Sequence, residues 1–360
     1  MIDLQPSPDQ QQIIDAVARV LPERYPLARY RRATVCETWD AVITPEVVEL
    51  GWLGLGLPED AGGSGAGLVD EVLLCRELGR HLAPLPLFAA LIAARSAARM
   101  GNHALARRIA TGQCRAALAL RVPALADHLA LHAIDGADAE LLVGLAGTTL
   151  HLLETQATAD IENLPPMDPS AAIDRRVCID ASAAAIDSGT LHWETLLLGS
   201  ALLVGMAEAA RDMAVAYAKQ REQFGQAIGA FQAIKHLCAD AALRAEAAKA
   251  HLFHAAILGE QNHPALATHC TAAKITAAEA ALQNAAVNIQ VHGGMGFTAE
   301  CEAHLYIKRA QVLEQFLGSQ RLHQAALGRG TLPVNETGTD AANEDGDDAD
   351  DQLLEEGQEP

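Results

Sequence analysis

Residues 190–330 restrict the fold of this chain most, because they read as long helices with few breaks. Ala and Leu dominate the segment, and Leu198, Leu202 and Met206 recur at the four-residue spacing of one helix face. Four long helices with short connections predict a helical bundle. Two motifs interrupt the pattern, REQFG at 221–225 and QVHGGMGF at 290–297.

The rest of the chain divides into two regions of different pattern. Residues 1–112 predict helices joined by short loops, including one from 9 to 20 and one from 68 to 78 that ends at Gly79 as a C-cap. Residues 113–188 carry short β-like runs separated by Gly, Asp and Pro, which predict a small antiparallel domain. These runs lie at 116–122, 128–134, 141–145, 148–153 and 176–179.

The charge of the chain is concentrated at its C-terminal end. Residues 331–360 hold 11 of the 46 acidic residues and no Lys or Arg, so the other 330 residues carry a net charge of only −9. We expect this acidic tail to be disordered, since it lacks the apolar residues that a core needs. The negative body disfavours nucleic acid or an anionic membrane as the main partner.

Composition also predicts the cellular location. No apolar run is long enough to predict a membrane span, and residues 1–5 do not resemble a signal peptide. Seven scattered cysteines indicate reduced thiols. The sequence therefore predicts a cytoplasmic protein.

The two motifs have the chemistry of an anion site near helix ends. Glycines at 293 and 294 allow a backbone to approach a ligand closely. They follow a predicted helix rather than a strand and lack the G-x-G-x-x-G spacing, which disfavours a Rossmann unit. Arg221 ends a long helix, where a cation is a common capping choice, but its guanidinium also suits a pyrophosphate.

Together the motifs resemble the acyl-CoA dehydrogenase family of flavoproteins, and the resemblance covers nearly the whole chain. The N-terminal region is similar to the family's opening helical domain at 51–55 (GWLGL), 58–59 (PE), 62–63 (GG) and 77–80 (ELGR). The resemblance implies a mainly α fold with a small β-domain: an N-terminal helical domain (1–112), a shortened middle β-domain (113–188), a C-terminal four-helix bundle (189–330) and the acidic tail (331–360). It also implies FAD as the cofactor. Residues that would contact FAD, mostly across a dimer interface, are Arg221, Phe224, Gln232, Gln290, Gly293 and Gly294.

Three departures from the family pattern concern a subunit's own active site. Leu317 stands where relatives carry a catalytic Glu before a Gly-Ser or Gly-Thr pair, and its spacing from Tyr306, Ala310 and Leu313 also fits an apolar core stripe. The segment 193–197 (WETLL) lacks the Arg that helps relatives bind CoA. Residues 113–188 lack the Thr-Glu-Pro and Gly-Ser-Asp signatures that surround the flavin ring.

These losses make the chain similar to the base-lacking subunit of heteromeric bacterial acyl-CoA dehydrogenases that act on bulky or steroid-derived thioesters. The resemblance then implies an acyl-CoA substrate, a second family chain that supplies the base, a heterotetramer, and an acceptor such as an electron-transfer flavoprotein. The backbone N–H of Leu317 is expected to remain able to polarise a thioester carbonyl.

Two alternatives remain open at this point. In the first, the chain is a self-sufficient enzyme that uses Asp240 or Glu246 as the base, and Glu314 is a third candidate carboxylate in the bundle. In the second, the chain is a scaffold protein that has lost FAD. A metal site is not expected, because His251 and His254 have no Cys or Glu cluster beside them.

Overall fold

Among the described residues, six α-helices make up the N-terminal part of the fold. A computed structural model of the protein describes residues 5–31, 39–125, 128–146, 149–178, 185–186 and 190–329, so the acidic tail lies outside the described residues. The helices are α1 (Pro8–Arg24), α2 (Trp39–Val42), α3 (Pro45–Glu49), α4 (Leu68–Arg80), α5 (Leu85–Arg99) and α6 (His103–Ala110). Helix α1 starts with a capping box, in which Ser7 accepts from the Gln10 N–H and the Gln10 side chain accepts from the Ser7 N–H.

A sheet with the strand order β5-β6-β2-β1-β3-β4-β7 follows these helices. Its strands are β1 (Ala116–Leu125), β2 (His128–Ile134), β3 (Leu141–Ala146), β4 (Thr149–Glu154), β5 (Thr158–Leu164), β6 (Ile173–Cys178) and β7 (Ala185–Ile186). Side chains alternate between its faces: Leu118 joins the main core against α5, whereas Ala117 and Ala119 join a small cluster on the other face.

Five of the predicted strands are confirmed to within a few residues, and two points need correction. The domain is not wholly antiparallel, because β1 and β3 pair in parallel. The polar strand β5 was not predicted. It lies at the edge of the sheet, where the exposed Glu162 pairs with Arg175 of β6 at 3.2 Å, so it needs no apolar alternation.

The C-terminal part is a bundle of long helices. These are α7 (Leu191–Gln220), α8 (Gln232–Glu260), α9 (Leu266–His292) and α10 (Ala303–Phe316), followed by the short α11 (Gln320–Gly328). A two-stranded hairpin, β8 (Glu222–Gln223) and β9 (Gln226–Ala227), links α7 to α8. The predicted class, mainly α with a β-domain in the middle, is confirmed.

Helix α7 is the axis of the molecule, in contact with α4, α8, α9 and α10. By length and composition it is apolar enough to cross a membrane, yet 94% of its most apolar stretch is buried, as befits a core helix. Gly79 is inside α4 and is not the predicted C-cap. A Cβ there would lie 2.0 Å from the Leu202 carbonyl oxygen, so this glycine allows α4 and α7 to touch.

A buried arginine ties the bundle to the other two parts. Arg309 of α10 donates to Asp168 at 2.5 Å in the loop before β6, to the Ala83 carbonyl at 2.9 Å between α4 and α5, and to the Ser170 hydroxyl. The Asp168 carboxylate offsets the desolvation of Arg309 and raises the pKa of the guanidinium above its ordinary value. This one residue therefore joins three regions of the chain.

Candidate functional site

The REQFG motif forms a tight, strained and exposed hairpin. Arg221 is the C-cap of α7, where its N–H donates to the Tyr217 carbonyl at 2.8 Å. Phe224 and Gly225 occupy the turn with φ of 54° and 77°, as the central residues of a type I′ turn do. Glycine adopts such φ values freely, but phenylalanine does so only under strain. Phe224 is nevertheless 92% exposed, and its ring meets that of Phe231 edge to face, with ring centroids 6.2 Å apart.

The second motif forms an open backbone cradle at the end of α9. Gly293 leaves the helix with φ of 63° and donates its N–H to the Gln290 carbonyl. A Cβ added at Gly293 or Gly294 would meet no atom within 4 Å. The space in front of both glycines is therefore open to a ligand or to another chain.

Packing between α7 and α9 brings the two motifs together. The Tyr217 and His292 rings stack with centroids 4.0 Å apart and an interplanar angle of 26°. Val291 packs with Ala214 and Ala218 of α7 in a small separate core that also includes Ile228, beyond the hairpin. The Arg221 hairpin and the Gly293–Gly294 cradle thus lie side by side at one end of the bundle.

The surface around these motifs carries several cations. Arg221, Lys219 and Lys235 are exposed, and within the described part of the chain none of the three forms an ion pair. Gln232, the first residue of α8, and Gln290, in the last turn of α9, are exposed as well. Unpaired cations, amides and open glycines suit a phosphate-bearing ligand with an aromatic part. The predicted cofactor residues are therefore together, accessible and chemically suitable.

The base position has a different character. Leu317 is the C-cap of α10 and is only 3% exposed. Its stripe partners Tyr306, Ala310 and Leu313 are buried as well. Its side chain lies against Gly199, where a Cβ would come within 2.5 Å of Leu317 Cδ2. Its N–H donates to the Leu313 carbonyl at 3.0 Å, so the expectation that this N–H polarises a substrate carbonyl is wrong.

Internal hydrogen bonds fix the turn that follows Leu317. His323 Nε2 donates to the Leu317 carbonyl at 2.8 Å, and the buried Lys274 ammonium donates to the Gly318 carbonyl. Glu314 lies 3.8 Å from Lys274 and accepts from the Gln320 N–H at 2.6 Å. Burial lowers the pKa of Lys274 to about 8.

Two buried imidazoles complete this region. Burial lowers the pKa of His192 and of His323 to about 4, so both rings are neutral near pH 7. Among the described residues, neither ring nitrogen of His192 has a hydrogen-bond partner, and the Thr195 hydroxyl one turn further along α7 has none either. The position of the family's base is thus a closed part of the core, in which the Leu317 and Gly318 carbonyls have internal partners.

A buried acid stands in the segment that lacks the CoA-binding Arg. Glu194 of α7 accepts from Arg95 at 2.6 Å and from Arg99 at 2.8 Å, both on α5. These arginines hold the pKa of Glu194 below its ordinary value in spite of its burial. The segment therefore binds the N-terminal helices and presents no cation of its own.

The two other candidate bases lie on α8. Glu246 is exposed and pairs with Lys249 at 2.5 Å and with Arg211 at 3.2 Å, and these hydrogen bonds and charges lower its pKa. Asp240 is exposed two turns earlier. Leu317 lies against Gly199 of α7, and Arg211 is 12 residues further along the same helix. The contact between Arg211 and Glu246 is therefore about 18 Å from Leu317 along the helix axis. In the described ranges no group of three His, Cys, Asp or Glu side chains has the arrangement of a metal site.

The structure adds residues to this surface that the motifs did not single out. Tyr217 supports His292 from α7, and Met295 and Phe297 are 49% and 71% exposed just beyond the cradle. The sequence could have indicated Tyr217, because it lies four residues before Arg221 and thus on the same face of the helix. The exposure of Phe297 had no signal in the sequence, because an aromatic after a glycine loop is equally typical of a core anchor.

Comparisons with known proteins agree with this architecture. Residues 7–116 match the N-terminal domain model of acyl-CoA dehydrogenases and residues 185–332 match the C-terminal domain model. Acyl-CoA dehydrogenase IpdE2 of Mycobacterium tuberculosis is 33% identical over 276 residues, which are 76% of this chain and 81% of that protein.

Two solved structures share the fold at lower identity. The Tcur3481-Tcur3483 steroid ACAD aligns with a TM-score of 0.75 and 23% identity over 89% of this chain and 97% of that one. The FAD complex of PigA aligns with a TM-score of 0.75 and 20% identity over 91% and 99%. From the matched domains and the IpdE2 identity, this chain belongs to the acyl-CoA dehydrogenase family.

Proposed function

We propose that this chain is the FAD-completing subunit of a heteromeric acyl-CoA dehydrogenase whose catalytic Glu is on a second chain. One observation carries the proposal. The exposed, cation-rich surface and the closed base position are at opposite ends of α7, with Arg221 22 residues beyond Gly199 and thus about 33 Å away. Arg221 and Leu317 of one chain are therefore too far apart to contact the same pyrophosphate.

The residues of this chain would act by binding and orienting. Arg221 offers a forked guanidinium to the pyrophosphate, and the Gly293–Gly294 backbone lets the cofactor approach without a Cβ in the way. Phe224, held at positive φ, presents its ring to the adenosine side, and Gln232 and Gln290 offer amides. FAD, when bound, supplies the hydride acceptor for α,β-desaturation of an acyl-CoA thioester.

The proposed substrate rests on the names of similar proteins rather than on a pocket. A bulky or steroid-derived acyl-CoA is proposed because a steroid ACAD shares the fold. A heterotetramer, a cytoplasmic location and an electron-transfer flavoprotein as acceptor are parts of the same proposal. So is the division into functional domains at 112, 188 and 330.

The two alternative functions fit the geometry less well. A base for α-proton abstraction needs a pKa near the working pH, whereas ion pairs lower that of Glu246. A scaffold without FAD has no use for a strained, exposed Phe224 or for unpaired cations beside an open cradle.

Co-expression tests the proposal. The chain is purified alone and together with a candidate partner, an acyl-CoA dehydrogenase-like chain that has the catalytic Glu, and bound flavin and acyl-CoA-dependent dye reduction are measured. We expect both only in the co-purified complex. Full flavin loading and activity of the lone chain would contradict the proposal, and absence of flavin from both preparations would favour the scaffold.

A further inference from the structure

Helix α9 carries three polar residues at four-residue spacing along its contact with α7. Asn284 and Asn288 are fully buried, and His292 follows one turn later at the end of the helix. Their contacts on α7 are with Ala207, Met213 and Tyr217 respectively, so the two helices run in the same direction. We call these three residues of α9 the polar ladder.

The polar ladder faces a stretch of α7 whose buried apolar residues are all alanines. The buried apolar residues of α7 between 207 and 218 are Ala207, Ala210, Ala214 and Ala218, beside the buried Glu208, and those of α9 between Asn284 and His292 are Ala285 and Val291. Because Ala210, Ala214 and Ala218 repeat every four residues, a one-turn slip of about 5.4 Å would place the apolar residues of α9 against another of these alanines. Alanine packing alone therefore distinguishes the correct register from its neighbours only weakly.

The polar contacts do distinguish the registers. Asn284 donates to the Ala207 carbonyl at 3.1 Å and to the Ala241 carbonyl of α8 at 2.9 Å, and it accepts from Arg244 at 3.0 Å. In a slipped register these buried groups would lose their partners, which is costly in a core. A buried asparagine fixes helix register in coiled coils for the same reason.

His292, the last residue of the polar ladder, lies next to the proposed cofactor surface. His292 stacks on Tyr217 and donates from Nδ1 to the Asn288 carbonyl at 2.8 Å, which fixes the orientation of the ring. The next residue is Gly293, and four residues after Tyr217 comes Arg221. The stacked pair of His292 and Tyr217 therefore lies directly before both the Gly293–Gly294 cradle and the Arg221 hairpin.

We propose that Asn284, Asn288 and His292 are positioning residues that hold α7 and α9 in one register, so that the Arg221 hairpin and the Gly293–Gly294 cradle emerge at the same level. This inference rests on the proposed function for its link to FAD, but its structural part does not.

Asn288→Leu is the most informative variant, because the Asn288 Oδ1 has no hydrogen-bond partner in the part of the chain that the structure describes. Its Nδ2 donates to the Met213 sulfur, a weak acceptor, so replacing this buried amide by a similar apolar volume should leave the urea midpoint of the full-length chain unchanged or higher. The same variant should lower FAD affinity of the co-purified complex by about tenfold, since the two motifs lose their alignment. Gln283→Leu, on the exposed side of the same helix, is the matched control and should change neither quantity.

Hydrogen exchange of the full-length chain, measured by mass spectrometry, tests the ladder without FAD. In Asn288→Leu, peptides covering 217–228 and 290–297 should exchange about five- to tenfold faster, while α1 and α4 are unchanged. Unchanged exchange at both ends would overturn the proposal, as would a uniform change across the chain, which indicates a purely structural role. If the wild-type complex holds no flavin, the proposed function fails while the exchange result still decides the ladder.

A mutant cycle isolates the last residue of the polar ladder. Tyr217→Leu and His292→Leu should each accelerate exchange at both motifs, and the double variant should add little to either, because both remove the same stack. Tyr217→Phe keeps the aromatic face and should behave as wild type. Additive effects of the two leucine variants would contradict a shared contact.

Discussion

Replacing Gly294 with alanine separates ligand contact from folding at the cradle. A Cβ at this position meets no described atom within 4 Å, and the residue lacks the positive φ of its neighbour Gly293. The folded chain therefore accepts the methyl group without strain. Because alanine also reduces the freedom of the unfolded chain, the free energy of unfolding should stay the same or rise by about 0.4–1 kcal/mol.

The FAD complex should respond in the opposite direction. If the cofactor backbone lies against Gly294, an added methyl group is overpacked and costs about 1–3 kcal/mol of binding free energy. That range corresponds to about a 5- to 150-fold weaker FAD affinity. The dissociation constant is measured by flavin fluorescence on the co-purified complex, and stability by urea unfolding of the lone chain.

Two other glycines serve as controls. Gly328, near the end of α11, is equally open and far along the chain from both motifs, so Gly328→Ala should leave FAD affinity unchanged. At Gly296 a Cβ would lie 2.5 Å from the Ile289 carbonyl oxygen, so Gly296→Ala should lose stability. Wild-type FAD affinity in Gly294→Ala, or a loss of affinity only in step with stability, would refute the assignment of the cradle.

Further substitutions test other parts of the argument. Phe224→Gly relieves the positive φ, so the free energy of unfolding should stay within about 1 kcal/mol while FAD affinity of the complex falls about tenfold; unchanged affinity would remove Phe224 from the site. Leu317→Glu places a carboxylate in the core, so unfolding should become easier by about 3 kcal/mol or more, and dye reduction by the lone chain would show that the site is not closed. His192 and His323 have pKa values of about 4 in the folded chain, below the roughly 6.5 of an unfolded histidine, so the unfolded state binds more protons between these values. Stability should accordingly be complete above pH 6.5 and fall by roughly 3 kcal/mol per histidine as the pH drops to 4, and a double His→Phe variant with the same pH profile in urea unfolding would exclude this origin. Arg309→Met leaves the buried Asp168 carboxylate without its cation and should lower the free energy of unfolding in urea by about 3–5 kcal/mol. A loss below about 1 kcal/mol would mean that the Arg309–Asp168 pair does not stabilise the fold.

The long helices were predictable because their apolar spacing is a local property of the sequence. The stripe from Tyr306 to Leu317 was read as core, and it is buried. Gly79 shows the limit of local reading, since a glycine near a helix end usually marks its end. Here it is inside α4, and only the contact with Leu202 of a distant helix explains it. Strand β5 was missed for a similar reason, because its stability comes from pairing with β6 rather than from its own side chains.

The candidate site divides in the same way. Residue identity alone determined the family resemblance, the absence of a carboxylate at Leu317 and the suitability of Arg221 for a phosphate, since these depend on which groups are present. Tertiary structure decided where those groups are and which remain free. The Leu317 N–H donates to a carbonyl of α10, and Glu246 is paired with two cations. Arg221 lies beside Gly293 but about 33 Å from Leu317. No local pattern encodes such distances, because they follow from how α7 and α9 pack along each other over many turns.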